Sequence, residues 1–252
     1  MYGRFVVAAI LSALMVTVPV AAQWKTPRAP GTVRSEIDAD APPPQTADGH
    51  PDLSGLWYPS GGDYSDFYFP GVPMTDEAMA LRKRRRDRFE RDFPKSHCLP
   101  MGIVNQHGSS GPVKFIQVPS ELVMLVEQNN ERREIFTDGR ALPGPNAQPT
   151  WNGYSVGRWD DETLLVTTTG FRDGQWLDTT GVPLTDGASI TERFRRPSLG
   201  RMEVAIAIDD PKTFLRPAHL LARYRLAPDD ELIESICQEN NKFGPEFGTD
   251  KP

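Results

Sequence analysis

The sequence predicts an all-β fold, mainly antiparallel: a lipocalin-like β-barrel with one helix on its N-terminal side. Three observations carry that expectation. From Val113 onward the residues alternate with period two in nine short runs: VKFIQV, ELVMLVEQ, RREIFT, YSVGRW, TLLVTTT, SITERFRR, MEVAIAID, HLLARYRL and ELIESICQ. Turn signals such as NNE, TDGR, DDE, SLG and PDD stand between them. Only one stretch, residues 75–93, reads as a convincing helix. Short connections make neighbouring strands antiparallel, and a run of about eight or more such strands closes into a barrel or folds as a two-sheet sandwich. The barrel is the reading adopted.

In chain order, residues 1–22 combine one Arg, an apolar run and a small-residue ending, the layout of a secretory signal cleaved after Ala22. Residues 23–50 are rich in Pro and small polar residues and predict an extended leader. Residues 51–252 then form a single β-barrel-like domain. PDLSGLW offers its first strand, and YPSGGDYSDFYFPGVP an aromatic loop lying over a pocket. In the helix, Thr75 suits the N-cap, Asp76 and Glu77 suit the positive N-terminal dipole, and Pro94 stops it. Met79, Arg82, Arg86 and Phe89 recur near helical spacing, which predicts one narrow packed side with the arginines in solvent.

Composition excludes some functions. The chain has 252 residues and a formal net charge of −6, with no basic excess to neutralise phosphates, so nucleic acid is a poor partner. The run from Phe5 to Val20 is short for a bilayer span, so no stable membrane insertion is expected after signal cleavage. Export, to the periplasm or the extracellular space, makes a disulfide the expected state of Cys98 and Cys237; the rival is a nucleophilic thiol at Cys98 beside His97.

Some residues stand where their chemistry is unexpected. In SITERFRR, Glu192 falls on the apolar face between Ile190 and Phe194, where an ionised carboxylate needs a partner. Glu234 stands likewise between Leu232 and Ile236, and Arg158 lies in line with Tyr154 and Val156. The plain reading is a buried ion-pair network that fixes strand register. The functional reading is a cavity in which a desolvated Glu moves protons while Arg158 steadies an anion. On the other face of the same strand, Gly153, Ser155 and Gly157 leave room for backbone or ligand.

Asp138 and Arg140 follow a strand in FTDGR; as a turn they are ordinary, and as a barrel-mouth pair Arg140 would reach an anionic group, with Trp151 nearby in sequence as a further ligand contact. Among the four histidines no pair has metal-ligand spacing, and no metal or cofactor is expected. His107, in the polar loop NQHGSSG, is the best acid or base of the four. Ser109 and Ser110 lack a G-x-S-x-G elbow, and neither a P-loop nor a G-x-G-x-x-G motif occurs.

HPDLSGLW, CLPMG, IFTDGR, WNGYSVGRWDDETLLVTTTGF, ITERF and CQEN resemble a widespread family of exported bacterial proteins of unassigned function, over roughly residues 49–240. The resemblance implies an exported β-rich domain. The family pattern follows CLPxG with Pro-Arg, where this chain has Ile103-Val104-Asn105-Gln106-His107, so His107 stands as a local replacement.

The leading expectation is an exported, cofactor-independent acid/base enzyme, a lyase, isomerase or hydrolase, acting on a small, partly apolar substrate inside the barrel. Glu192 would be the principal acid or base with Glu234 or His107 as partner, Tyr154 a hydrogen-bond donor, and Arg158 and Arg140 the anion-holding groups. The alternative is a non-catalytic carrier using the same cavity. A third is an envelope module docking through the basic helix and the aromatic loop.

Overall fold

A computed structural model describes residues 36–60, 69, 71–144, 146–237 and 239. The signal-like segment, the first part of the leader and most of the aromatic loop lie outside the described residues. Strand β1 (Gly55–Pro59) is followed by helices α1 (Asp76–Asp87), α2 (Phe89–Asp92) and α3 (Ile103–His107). Then come β2 (Val113–Val118), β3 (Glu121–Val126), β4 (Glu131–Phe136), β5 (Tyr154–Asp160) and β6 (Thr163–Thr169). A small hairpin, β7 (Gln175–Trp176) and β8 (Pro183–Leu184), precedes β9 (Ser189–Ser198), β10 (Arg201–Asp209) and β11 (Ala218–Leu226).

Nine strands close into a barrel in the order β1-β11-β10-β9-β6-β5-β4-β3-β2, with β1 also paired to β2. The all-β barrel expected from the period-two runs is therefore the fold. A ring of nine strands cannot alternate direction all the way round. One parallel seam must exist, and it lies between β4 and β5, where Ile135 faces Ser155 and Phe136 faces Val156. The connection over residues 137–153 is long enough to carry the chain back to the end of the barrel where β4 began, which the tight β2–β3, β5–β6 and β9–β10 turns do not allow.

The run ELIESICQ is not a strand over its described residues, 231–237. Once β1 has paired with both β2 and β11, the ring offers no free edge. The segment instead hangs its backbone N–H groups on side chains of the β3–β4 connection: Ile233 on Glu127 Oε2 (3.1 Å) and Ser235 on Asn130 Oδ1 (3.2 Å). Cys237 at its end is bonded to Cys98, with 5.6 Å between Cα atoms, as the sequence predicts.

Thr75 caps α1, its Oγ1 accepting from the Ala78 N–H at 3.2 Å. The helix breaks at Arg88, whose φ of −126° separates α2 from it. Its packed side differs from expectation. Ala78 and Arg85 are buried, whereas Met79 is 49% exposed. The cause is the β7–β8 excursion, whose unpaired carbonyls need donors. Arg85 supplies them to Gln175 O (2.9 Å), Gly174 O (3.2 Å) and Gly181 O (3.3 Å), and burial lowers its pKa to about 10. Arg82 donates to Thr180 Oγ1 at 2.7 Å instead of facing solvent.

The described part of the leader runs against the barrel. Ala39 and Ala41 accept from Gly200 (3.0 Å) and Leu199 (2.7 Å) at the β9–β10 turn, and His50 stacks on Trp159 with ring centroids 4.5 Å apart. Leader and α3 thus sit at opposite ends of the barrel. Inside, alternate residues of the strands form one core, among them Phe115, Met124, Ile135, Val166, Phe194 and Val204.

Candidate functional site

Within that core lies a sealed polar chain. Glu192, on the inner face of β9, is 0% exposed and Arg133, on β4, is 3% exposed. The two form a bidentate pair: Arg133 Nη1 donates to Glu192 Oε1 at 2.8 Å, and Nη2 donates to Oε2. Arg133 Nε also donates to Ser155 Oγ on β5 (3.1 Å) and Nη2 to Thr168 Oγ1 on β6 (3.0 Å), while the two hydroxyls meet at 2.9 Å. On the other side, His107 Nε2 lies 2.7 Å from Glu192 Oε1, and His107 Nδ1 lies 2.6 Å from the Tyr224 hydroxyl on β11.

Burial alone pushes the Glu192 carboxyl up, but the Arg133 charge and hydrogen bonds, with those of His107, bring it down to about 2. Glu192 is therefore an anion at neutral pH, and an anion accepts only. The proton on His107 Nε2 must point at Glu192, so in the neutral ring Nδ1 accepts from Tyr224. Burial, and then the Glu192 charge, hold the Tyr224 hydroxyl well above its usual value, so it keeps its proton. Phe115 packs edge-on against Tyr224 (5.7 Å) and Phe194 (6.2 Å), closing the chain off from water.

His107 reaches this position from the short helix α3, not from the flexible loop that its sequence suggests. Gly102, at φ 79°, turns the chain into the helix, and Ile103, Val104, Gln106 and His107 are buried. Gln106 Nε2 donates to Glu131 Oε2 (2.9 Å) and Asn152 Oδ1 (3.1 Å), and Glu131 Oε1 accepts from Met101 N (2.8 Å). Burial raises the Glu131 pKa.

Of the residues singled out from sequence, Glu192 and His107 meet in this chain. The others do not join it. Arg158 is exposed, because β5 turns Ser155 and Gly157 inward and Tyr154, Val156 and Arg158 outward. The reason is volume: a Cβ at Gly157 would stand 3.1 Å from Leu164 and 3.2 Å from Ile135, so that face has no room for larger side chains. Glu234 is exposed on the extended C-terminal segment. Asp138, Arg140 and Tyr154 do cluster, but with one another on the outer surface. Arg140 Nε donates to Asp138 (2.9 Å) and Nη1 to the Tyr154 hydroxyl (3.1 Å), with the guanidinium 3.8 Å from the Phe136 ring centre. Their mutual bonding raises the Arg140 pKa and lowers that of Asp138. Trp151 is half-buried beneath the Arg172 guanidinium, 5.7 Å from its ring centre.

Outside the sealed chain, cavities open among the described residues at both ends of the barrel. One, of about 140 Å³, lies at the α3 end, walled by Phe93, Pro94, Pro100, Met101 and Trp176. Lys95, Asn105, Gly108 and Asp178 also line it. Trp176 is fixed by Phe93 (5.4 Å) and by the Arg85 guanidinium (5.2 Å). The other, of about 310 Å³, lies at the leader end beside Trp159, Leu122 and Leu164.

Among the described residues no group of three or more His, Cys, Asp or Glu is arranged to hold a metal ion, and no helix is long and apolar enough to cross a membrane. No protein-family model matches the chain, and no curated protein matches it in sequence.

Proposed function

We propose that this protein is an exported small-molecule-binding barrel that holds a partly apolar ligand in the cavity at its α3 end. One observation carries the reading: the core of the barrel is packed with its own side chains, and the α3-end cavity sets aromatic and proline-rich walls of Phe93, Pro94, Pro100 and Trp176 beside a few polar groups, the usual composition of a ligand site. The Cys98–Cys237 disulfide supports export, since it holds the cavity wall between Pro94 and Met101 and persists where thiols oxidise. The test is an amide NMR titration of the mature protein with a pool of small aromatic and aliphatic compounds. Binding should move the signals of Met101, Asn105, Gly108 and Trp176. Shifts confined to other regions, or none at all, would count against the cavity.

A second reading, acid/base catalysis, is favoured by the Tyr224–His107–Glu192–Arg133 chain. A hydroxyl, an imidazole and a carboxylate in line place an oriented base, His107, between Tyr224 and Glu192. That reading requires α3 to move and admit a substrate to the sealed chain; since Tyr224 keeps its own proton, His107 would take one from the substrate while Glu192 orients the ring. With both oxygens held by Arg133 and His107 and its pKa near 2, Glu192 is poorly suited to exchange protons itself. Incubating the protein and a His107→Gln variant with extracted small molecules, followed by mass spectrometry, separates the two readings. A product formed only by the unaltered protein supports catalysis, while a compound retained unchanged supports carriage.

A further inference from the structure

Resting on the binding reading, we propose that the α3-end cavity selects a small aromatic carboxylate, with Lys95 as the counter-charge. Size comes first. A buried space of about 150 Å³ accepts benzene, so about 140 Å³ holds one ring, with a short substituent at the cavity's open side. The walls suit a ring, because Phe93 and Trp176 are locked by their mutual packing at 5.4 Å and Pro94 and Pro100 add rigid apolar surface.

Charge comes next. Lys95 and Asp178 are the ionic residues lining the cavity, and they differ in how far they are engaged. Asp178 is spent on its own turn: its Oδ1 accepts from Thr180 N (2.9 Å) and Val182 N (3.2 Å), and its Oδ2 from Thr180 Oγ1 (2.9 Å). Asn105 gives its amide protons to Met101 O (2.8 Å) and Trp176 O (3.1 Å), so it has none left for an anion. The carboxylate nearest to Lys95 in electrostatic effect is Glu131, whose oxygens already accept from Met101 N and Gln106 Nε2. Lys95 is half-buried on a 3-10 turn spanning Pro94–His97 and forms no ion pair among the described residues. Burial lowers its pKa, and the Glu131 charge only partly offsets this. A ligand carboxylate supplies an ion-pair partner while its ring takes the apolar wall.

The experiment is calorimetric and NMR titration of the full mature protein with benzoate, benzyl alcohol and benzylamine, which share a ring and differ in charge. Benzoate should bind at least about 10-fold more tightly than benzyl alcohol, as a charge-assisted hydrogen bond does. Benzylamine should bind most weakly. Lys95→Met should remove the preference for benzoate and leave benzyl alcohol within about 2-fold, and Lys95→Arg should restore most of it. Equal binding of benzoate and benzyl alcohol, or a preference that survives Lys95→Met, overturns the carboxylate assignment while leaving the cavity a binding site. If none of the three probes shifts the cavity signals, the assignment also fails, and the pooled titration decides separately whether the cavity binds anything. Should Lys95→Met not fold, the benzoate to benzyl alcohol ratio of the unaltered protein decides alone.

Discussion

Replacing Arg133 by Met keeps most of the side-chain volume but leaves the Glu192 carboxylate buried beside His107 with no cation opposite. Removing one partner of a buried pair destabilises a fold by about 3–5 kcal/mol. The carboxyl's own titration gives a similar size: a group brought from 4.5 to about 2 contributes about 3 kcal/mol at neutral pH. For a domain of this length that corresponds to a fall of about 6–20 °C in Tm. The sign with pH is diagnostic. In the unaltered protein the folded pKa is depressed, so this contribution is complete above pH 4.5 and disappears as pH falls toward 2. In the variant, burial, the largest influence on Glu192, is opposed only by the smaller effect of His107 and raises the pKa, so the folded state binds its proton more readily and stability is gained as pH falls from neutral. Urea unfolding at pH 7 and at pH 4 should therefore show a variant deficit that narrows in acid. A loss below about 1 kcal/mol at pH 7, or two profiles that run parallel, would refute the account of Glu192 as an ion held by Arg133.

Three further outcomes are expected. Reducing the Cys98–Cys237 bond, which joins residues 139 apart, should destabilise the fold by about 2–4 kcal/mol, measured by denaturant unfolding with and without reductant. Thr75→Ala should lose about 1 kcal/mol, because the Ala78 N–H loses its acceptor; thermal unfolding followed by circular dichroism reads it. Gly153→Ala should lose at least about 1 kcal/mol, since Gly153 has φ +61° and an added Cβ would meet Thr168, the Thr169 carbonyl and Phe171 at under 3 Å (2.8, 2.8 and 2.9 Å). An unchanged unfolding midpoint would show that the backbone there can shift.

The strands were legible because period-two alternation survives in a barrel wall, and the starts of β2, β3, β5 and β6 fall where the pattern places them. Which face turned inward was legible only where one face was plainly apolar. In β9 the Ile190–Phe194 face is apolar around Glu192, and it is buried. In β5 the rule chose Tyr154 and Val156 over Ser155 and Gly157, yet volume decided the other way. Arg133 went unread although the test that found Glu192 applies to it, since it alternates in line with Ile135. Tyr224, in line with Ala222 on β11, carried the same signal. His107 was singled out by type, but a helix of five residues is too short to show a period, so its burial could not be read. The run holding Glu234 alternates as well as any strand; barrel closure, a property of the whole ring, excluded it.

The polar chain also answers why a barrel would keep charge in its core. Stability alone is a weak reason, because well-packed apolar residues often replace a buried ion pair without loss. Register is a stronger one. Glu192 sits on β9, Arg133 on β4, Ser155 on β5, Thr168 on β6, Tyr224 on β11 and His107 on α3, so one bonded chain reads the position of six elements at once. A slip of one residue in β9 would turn Arg193 inward in place of Glu192 and set two guanidiniums against each other. The need is greatest at the parallel β4–β5 seam, which is joined by only two paired positions. Arg133, two residues before Ile135, crosses that seam through its Nε to Ser155 Oγ, on the residue that Ile135 faces. The bond therefore supplements the wall where backbone pairing is sparsest, and the small side chains of β5 face inward to let the guanidinium reach across.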